Sequence, residues 1–123
     1  MKTHKDLDVW KNSIELVTEI YNITRDFPKD EIYGLTSQIK RSSVSVPSNI
    51  AEGAARKNEK EFIYFLFISR GSLAELETQI TIALNLKYLK QSVFDAVSSK
   101  IIIVRKQLSG LINHLNRKKI KTK

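Results

Sequence analysis

Six polar residues in the second quarter of the chain recur at helical spacing: Gln38, Arg41, Ser45, Asn49, Glu52 and Arg56 are separated by 3, 4, 4, 3 and 4 positions. In a helix this places them on one face. Glu52 and Arg56 can pair across one turn. Arg41 and Arg56 suit phosphate, because the planar guanidinium fork meets two phosphate oxygens at once. Lys40, Lys57 and Lys60 extend the same cationic surface, and Arg117, Lys118 and Lys119 add a second basic group near the C-terminus. Nucleic-acid binding is the chemistry these eight cations can perform. The competing reading of the ladder is a solvated or inter-helix hydrogen-bonding face.

Other chemistries have little to build on. No cysteine is present, which excludes disulfides, thiolate metal sites and cysteine nucleophiles. The two histidines, His4 and His114, belong to no His-Glu-x-x-His or Glu-x-x-His motif, so no metal site is expected. The four glycines are isolated, so no Gly-rich phosphate loop and no cofactor is expected. Arg105 and His114 are nine residues apart, too far for a ribonuclease-like pair on one helical turn. His114 is expected instead near a helix C-terminus, where the macrodipole favours it. Arg70 and Glu77 fall at the edge of a core stripe and are expected to form a charge network, with Glu75 pointing outward. The chain is expected not to be an enzyme.

Composition sets the frame. The 123 residues suit one domain. With 41% hydrophobic and 28% charged residues, a core can be buried. The formal charge is +8, and residues 117–123 hold +5 of it, leaving +3 on residues 1–116. That basic end reads either as a nucleic-acid contact or as a solubilising tail. The N-terminus lacks the apolar stretch of a signal peptide. The longest apolar run, Phe62 to Ile68, has seven residues, against about 20 for a membrane span. A cytoplasmic protein with no membrane partner is expected.

Four segments carry helical periodicity, and strand signals are nearly absent. The first helix is predicted over 8–26, capped by Asp8, with a face of Trp10, Ile14, Val17 and Tyr21 widened by Val9, Leu16, Ile20 and Ile23; Pro28 disfavours helix at Phe27. The second is predicted over 36–56. It contains Pro47, which is read as a kink in one helix, because Leu35, Ile39, Ser42, Val46 and Gly53 stay in phase across it. Ser42, Ser43 and Ser45 can engage the freed backbone groups. The third helix is predicted over 59–88 and the fourth over 92–116, with Ser92 as N-cap. The short link between them makes them antiparallel neighbours. The fold class is all-α: an up-and-down antiparallel four-helix bundle over residues 1–116, its second helix kinked at Pro47, followed by a basic tail over 117–123.

The third helix carries apolar residues beyond its core stripe. Ile63, Tyr64, Phe67 and Ile68 point away from that stripe on a helical wheel, and Ile102 and Ile103 do the same on the fourth helix. Surplus apolar surface of this kind marks a partner contact, and a homo-oligomer interface is expected at these residues; cover by loops and the N-terminal arm is the alternative. Ser48, Ala51, Ala54 and Ala55 are small enough to admit another backbone or a ligand to the second helix.

Several segments together resemble a known family: Leu7-Asp-Val-Trp10, Phe27-Pro28, Tyr33-Gly-Leu-Thr-Ser-Gln38, Arg41, Val46-Pro-Ser-Asn-Ile-Ala-Glu-Gly53 with Arg56, Arg70-Gly-Ser72 and Glu75-Leu-Glu-Thr-Gln79. The chain resembles the four-helix-bundle proteins encoded in intervening sequences of bacterial 23S ribosomal RNA genes, whose relatives include the accessory variability determinant of diversity-generating retroelements. The resemblance implies a four-helix bundle, commonly a ring-like homopentamer with a basic surface. For the retroelement relatives it implies binding to nucleic acid and to a reverse transcriptase. Lys40-Arg-Ser-Ser-Val departs from the usual paired basic residues and Ala-Ala-Val, leaving Arg41 in place.

Two functions follow as expectations. The first is a non-enzymatic homo-oligomer binding nucleic acid, RNA in preference, through Lys40, Arg41, Arg56, Lys57, Lys60, Arg117, Lys118 and Lys119. The second is a scaffold docking a partner enzyme such as a reverse transcriptase, with incidental nucleic-acid binding. Without a recognition helix, sequence-specific reading is not expected.

Overall fold

The structure, a computed structural model, describes residues 3–121, with side chains described as far as Lys118. Four helices account for most of it: α1 (Asp8–Thr24), α2 (Leu35–Ala54), α3 (Glu59–Asn85) and α4 (Gln91–Lys121), with 3-10 turns at His4–Asp6 and Lys29–Glu31. Each helix packs against two others, in the closed order α1–α2–α3–α4. Cross-links alternate in direction: Lys100 pairs with Glu19 and Asn12 with Gln107 between α1 and α4, while Ser42 meets Gln79 and Ser45 meets Ser72 between α2 and α3. This is the expected antiparallel bundle. Its centre is aliphatic, with Leu16, Ile20, Ile39, Leu66, Ile80 and Leu108 essentially inaccessible to water.

The buried face of α1 is Val9, Ser13, Leu16, Ile20 and Thr24, stepping by four, three, four and four. The expected face through Ile14 and Tyr21 is displaced: those two residues are exposed, while Trp10 and Val17 are half-buried. Two hydroxyl residues mask the true stripe. Ser13 Oγ donates to the Trp10 carbonyl at 2.8 Å and Thr24 Oγ1 to the Ile20 carbonyl at 2.9 Å, so both are buried with their hydrogen bonds made.

Several boundaries move for local reasons. The N-cap of α1 is Leu7, and Asp8 is the first helical residue, where its charge favours the helix dipole. The helix stops at Thr24, short of Pro28. Asn58 caps α3, accepting the Glu61 N–H at 2.9 Å. That helix closes at Asn85 because Lys87 turns left-handed at φ 64°, letting Tyr88 N–H donate to the Ala83 carbonyl at 2.9 Å. Ser92 lies inside α4, which starts at Gln91 and continues past Asn116 to Lys121. The basic segment up to Lys121 is therefore helix, and His114 sits two turns from its end. Residues 122–123 of the expected tail lie outside the described residues.

The α2 helix runs unbroken through Pro47, and its contact with α3 is unusually close. A Cβ on Gly53 would stand 2.8 Å from Phe65 Cβ and 3.1 Å from the Phe62 carbonyl oxygen. Further along, Ser69 Oγ donates to the Val46 carbonyl at 2.8 Å, Ser42 Oγ donates to Gln79 Oε1 at 2.6 Å, and Ser45 and Ser72 share a 2.8 Å hydrogen bond. The serines near Pro47 thus work mainly across the seam or on carbonyls three residues back (Ser42 to Ile39, Ser43 to Lys40).

At the far end, Glu31 joins three elements. Its Oε1 accepts the Leu35 N–H at 3.1 Å and its Oε2 the Tyr88 hydroxyl at 2.8 Å. Gly34 permits this, since a Cβ there would lie 2.7 Å from Glu31 Oε1.

Two outcomes follow from these contacts. Gly53→Ala should destabilise by about 1–3 kcal/mol through overlap with α3. Gly110→Ala, with nothing within 4 Å of the added Cβ, should stabilise by about 0.5–1 kcal/mol through helix propensity. Denaturant midpoints of the two variants should move in opposite directions; equal shifts would refute the tight seam. The Tyr88 phenol is held above its ordinary value of 10.0 by its hydrogen bond to Glu31, then by burial and by the charges of Glu31 and Asp30. A raised value means that the link supports the fold fully below the unfolded tyrosine value and is lost as pH rises through the folded one. Tyrosinate absorbance of wild type against Tyr88→Phe should assign the missing transition to the alkaline side of an ordinary tyrosine, and Glu31→Gln should bring it back down.

Candidate nucleic-acid interface

Because α2 and α3 are antiparallel and joined only by residues 55–58, the C-terminus of one and the N-terminus of the other share an end of the bundle. The C-terminal turns of α4 reach the same end, where Lys118 Nζ meets Glu59 Oε1 at 3.0 Å. Five of the expected cations therefore gather: Arg56, Lys57, Lys60, Arg117 and Lys118. The side chain of Lys119 lies outside the described residues.

Their availability differs. Arg56 pairs with Glu52 at 2.8 Å, as the i, i+4 spacing predicts, and its guanidinium carbon lies 4.8 Å from the centre of the Phe65 ring. Lys118 is engaged by Glu59. Lys57, Lys60 and Arg117 are exposed and have no ion-pair partner among the described residues, which leaves them the freest positive charges of this end.

Lys40 and Arg41 are elsewhere. They lie about 20 Å along α2 from its C-terminal end, which Arg56 follows, at 1.5 Å per residue, and they diverge. Lys40 Nζ sits 4.9 Å from the Tyr21 ring centre, on the α1 side. Arg41 lines a polar groove between α2 and α3. The single ladder expected from spacing is thus divided. Its middle is used internally: Asn49 Nδ2 donates to the Ser45 carbonyl at 2.8 Å and to Ser45 Oγ at 2.9 Å. Only Ser45, through its 2.8 Å hydrogen bond with Ser72 of α3, takes up the inter-helix role of the competing reading.

The groove around Arg41 encloses about 410 Å³ between Gln38, Arg41 and Ser45 of α2 and Ser72, Glu75 and Gln79 of α3. Glu75 is exposed, as expected, but it opens onto this groove. The α3 residues were missed because sequence spacing reports faces of one helix and not which residue stands opposite on another; the only local signal was Glu75 and Gln79 at i, i+4. An apolar groove of about 330 Å³ lies between α1 and α2, lined by Trp10, Ile14, Val17, Val44, Pro47 and Ala51 among others.

The expected Arg70–Glu77 network is rearranged. Glu77 takes both carboxylate oxygens to Arg105 Nη1, at 3.0 and 3.1 Å, whereas Arg70 donates to Ser109 Oγ at 3.2 Å and lies over the Phe67 ring. Two residues seven apart are two turns apart along the axis, and each reaches α4 more easily than the other.

The expected apolar interface is also divided. Ile63 belongs to the core at 8% exposure, whereas Tyr64, Phe67 and Ile68 are 62%, 46% and 36% exposed. Since α3 packs on both α2 and α4, it buries an arc of about 180°, wider than the about 100° of a one-sided amphipathic helix, and that arc includes Ile63. Ile102 and Ile103 on α4 are exposed. Among the described residues no helix is long and apolar enough to cross a membrane, and no three His, Asp or Glu side chains converge as a metal site.

The model of the family described as 23S rRNA-intervening sequence protein matches residues 5–110. Among solved structures, the chain is similar to a protein of unknown function from the S23 ribosomal protein family of Bacteroides thetaiotaomicron, with 22% identity and a TM-score of 0.79 over 85% of this chain and 97% of that one. At this identity the likeness concerns the fold. No curated protein matches the chain.

The division of the α3 surface is open to a direct check. Ile63→Ala should cost about 2–4 kcal/mol, and Tyr64→Ala about 1 kcal/mol or less. Similar losses in chemical denaturation would place both residues in one environment and contradict the arc described.

Proposed function

The chain belongs to the 23S rRNA-intervening sequence protein family, and from that premise we propose that it is a non-catalytic, homo-oligomeric protein that binds RNA through the basic end of its bundle. The observation that carries this reading is the meeting of Lys57, Lys60 and Arg117, each without an ion-pair partner among the described residues, at the junction of α2, α3 and α4. Phosphate contacts of this kind give affinity without sequence information. RNA is favoured over DNA by the association of the family's name with 23S rRNA.

One subunit offers few free cations, so its affinity at physiological salt is low. The exposed Tyr64, Phe67, Ile68, Ile102 and Ile103 supply apolar surface for self-association. A ring of copies presents the basic end several times and raises avidity with no new contact per subunit. The resemblance to ring-forming relatives makes five the expected number. The apolar α1–α2 groove supports the second reading, a scaffold for a partner enzyme; in that case RNA retention fails even at low salt.

Filter retention of single-stranded RNA should fall steeply between about 50 and 200 mM salt. The triple variant Lys57→Glu, Lys60→Glu, Arg117→Glu should lower retention at least about tenfold and flatten the log–log salt slope by about 2, with the helical circular-dichroism signal intact. Sedimentation should give a multiple of the 14.1 kDa chain mass. Retention that ignores both salt and the triple variant contradicts the RNA reading, and a mass of one chain contradicts the assembly.

A further inference from the structure

We infer that the polar groove between α2 and α3 is a pocket for one unpaired guanine base, read by Arg41 on one edge and Glu75 on the other. The inference rests on the RNA reading above and gives that binding a base preference.

The groove's volume, about 410 Å³, lies within the range of small-ligand sites, about 300–1,000 Å³. Its floor is fixed by the two seam hydrogen bonds, Ser42 to Gln79 at 2.6 Å and Ser45 with Ser72 at 2.8 Å. Above that floor the polar groups are unspent. Arg41 and Glu75 line one groove, yet no ion pair or hydrogen bond joins them to each other or to any described group. By contrast Glu77, two residues on, is held by Arg105. Gln79 uses its oxygen on Ser42, which leaves its NH₂ group, and the Gln38 amide has no partner among the described residues.

A guanidinium offers only donors and a carboxylate only acceptors. The best ligand for the pair presents two neighbouring acceptors and, on the next edge, two neighbouring donors. Guanine alone among the four RNA bases does this, with O6 and N7 as acceptors and N1–H and N2–H as donors. Arginine bidentate to O6 and N7 is a common specific contact to this base. Adenine would turn an amino group toward Arg41 and an unprotonated N1 toward Glu75; uracil and cytosine mix donors and acceptors along one edge. Only an unpaired base exposes both guanine edges together, so the groove fits a single strand. The Gln38 amide and the free Gln79 NH₂ group remain for ribose or phosphate oxygens.

The test compares single-stranded oligoribonucleotides of equal length with and without guanine, by fluorescence anisotropy at one salt concentration. The wild-type protein should prefer the guanine-containing strand by about tenfold. Glu75→Gln and Arg41→Met should bring that ratio close to one, with circular dichroism confirming the fold. The triple variant at the basic end should weaken both strands and keep the ratio. Equal binding of the two strands by wild type, or a preference that survives Glu75→Gln, overturns the guanine site and leaves the basic-end reading standing. If neither strand binds at low salt, the RNA reading fails, and titration with guanosine against adenosine monophosphate decides the pocket separately: preference for the guanine nucleotide sustains it, and none overturns it.

Discussion

The approach of α2 to α3 governs the rest of the molecule. Gly53 removes the one side chain that would hold the two backbones apart against Phe62 and Phe65. The serines at positions 42, 45, 69 and 72 then replace apolar interdigitation with short hydrogen bonds across the seam. A serine buried in this way is stable only where its partner stands opposite, because an unmet hydroxyl away from water costs about 1–3 kcal/mol. The seam therefore fixes register as well as distance. It leaves Pro47 inside a continuous helix, with the neighbouring Val46 carbonyl accepting the hydroxyl of Ser69 from the adjacent helix α3.

The basic end and the α2–α3 groove, on which the proposed binding rests, both follow from that register. A close, antiparallel seam with a short connection brings the end of α2 and the start of α3 together, and α4 returns its last turns to the same place. Lys57 and Lys60 stand where a helix N-terminus already bears partial positive charge, an arrangement that disfavours the isolated helix and favours an anion at that end. Toward the other end of α2 the seam hydrogen bonds of Ser42 and Ser45 leave a groove above them, and Arg41 and Glu75 both line it. The bundle thus separates a non-specific electrostatic end from a small polar groove along its side.

Much of the architecture was legible in the sequence because a long bundle helix repeats its signal many times. The α4 stripe from Val97 to Leu115 is apolar at every buried position, and the α3 stripe from Phe62 to Ala83 at all but Ser69 and Ser72, so the helices themselves stand out despite local exceptions. The first helix shows the opposite case: Ser13 and Thr24 occupy core positions while Ile14 and Tyr21 occupy the surface, and hydrophobicity alone ranks them the wrong way round. Ile63 was misplaced because a wheel drawn for one neighbour underestimates the arc of a helix with two. Arg56 and Glu52 were paired correctly because their partner lay on the same helix. The partners of Glu77 and Ser45 were not legible, since each is chosen by which residue the fold sets opposite.

In the proposed complex, single-stranded RNA lies on the α2–α3 side of the bundle, from the basic end toward Arg41. Photo-cross-linking of a guanine-containing strand bearing 4-thiouridine, followed by peptide mapping, locates the strand without disturbing the seam. Cross-links are expected on peptides containing residues 38–45, 57–60 and 72–79. Adducts confined to α1, or an absence of adducts under conditions where the RNA is retained, would contradict this placement.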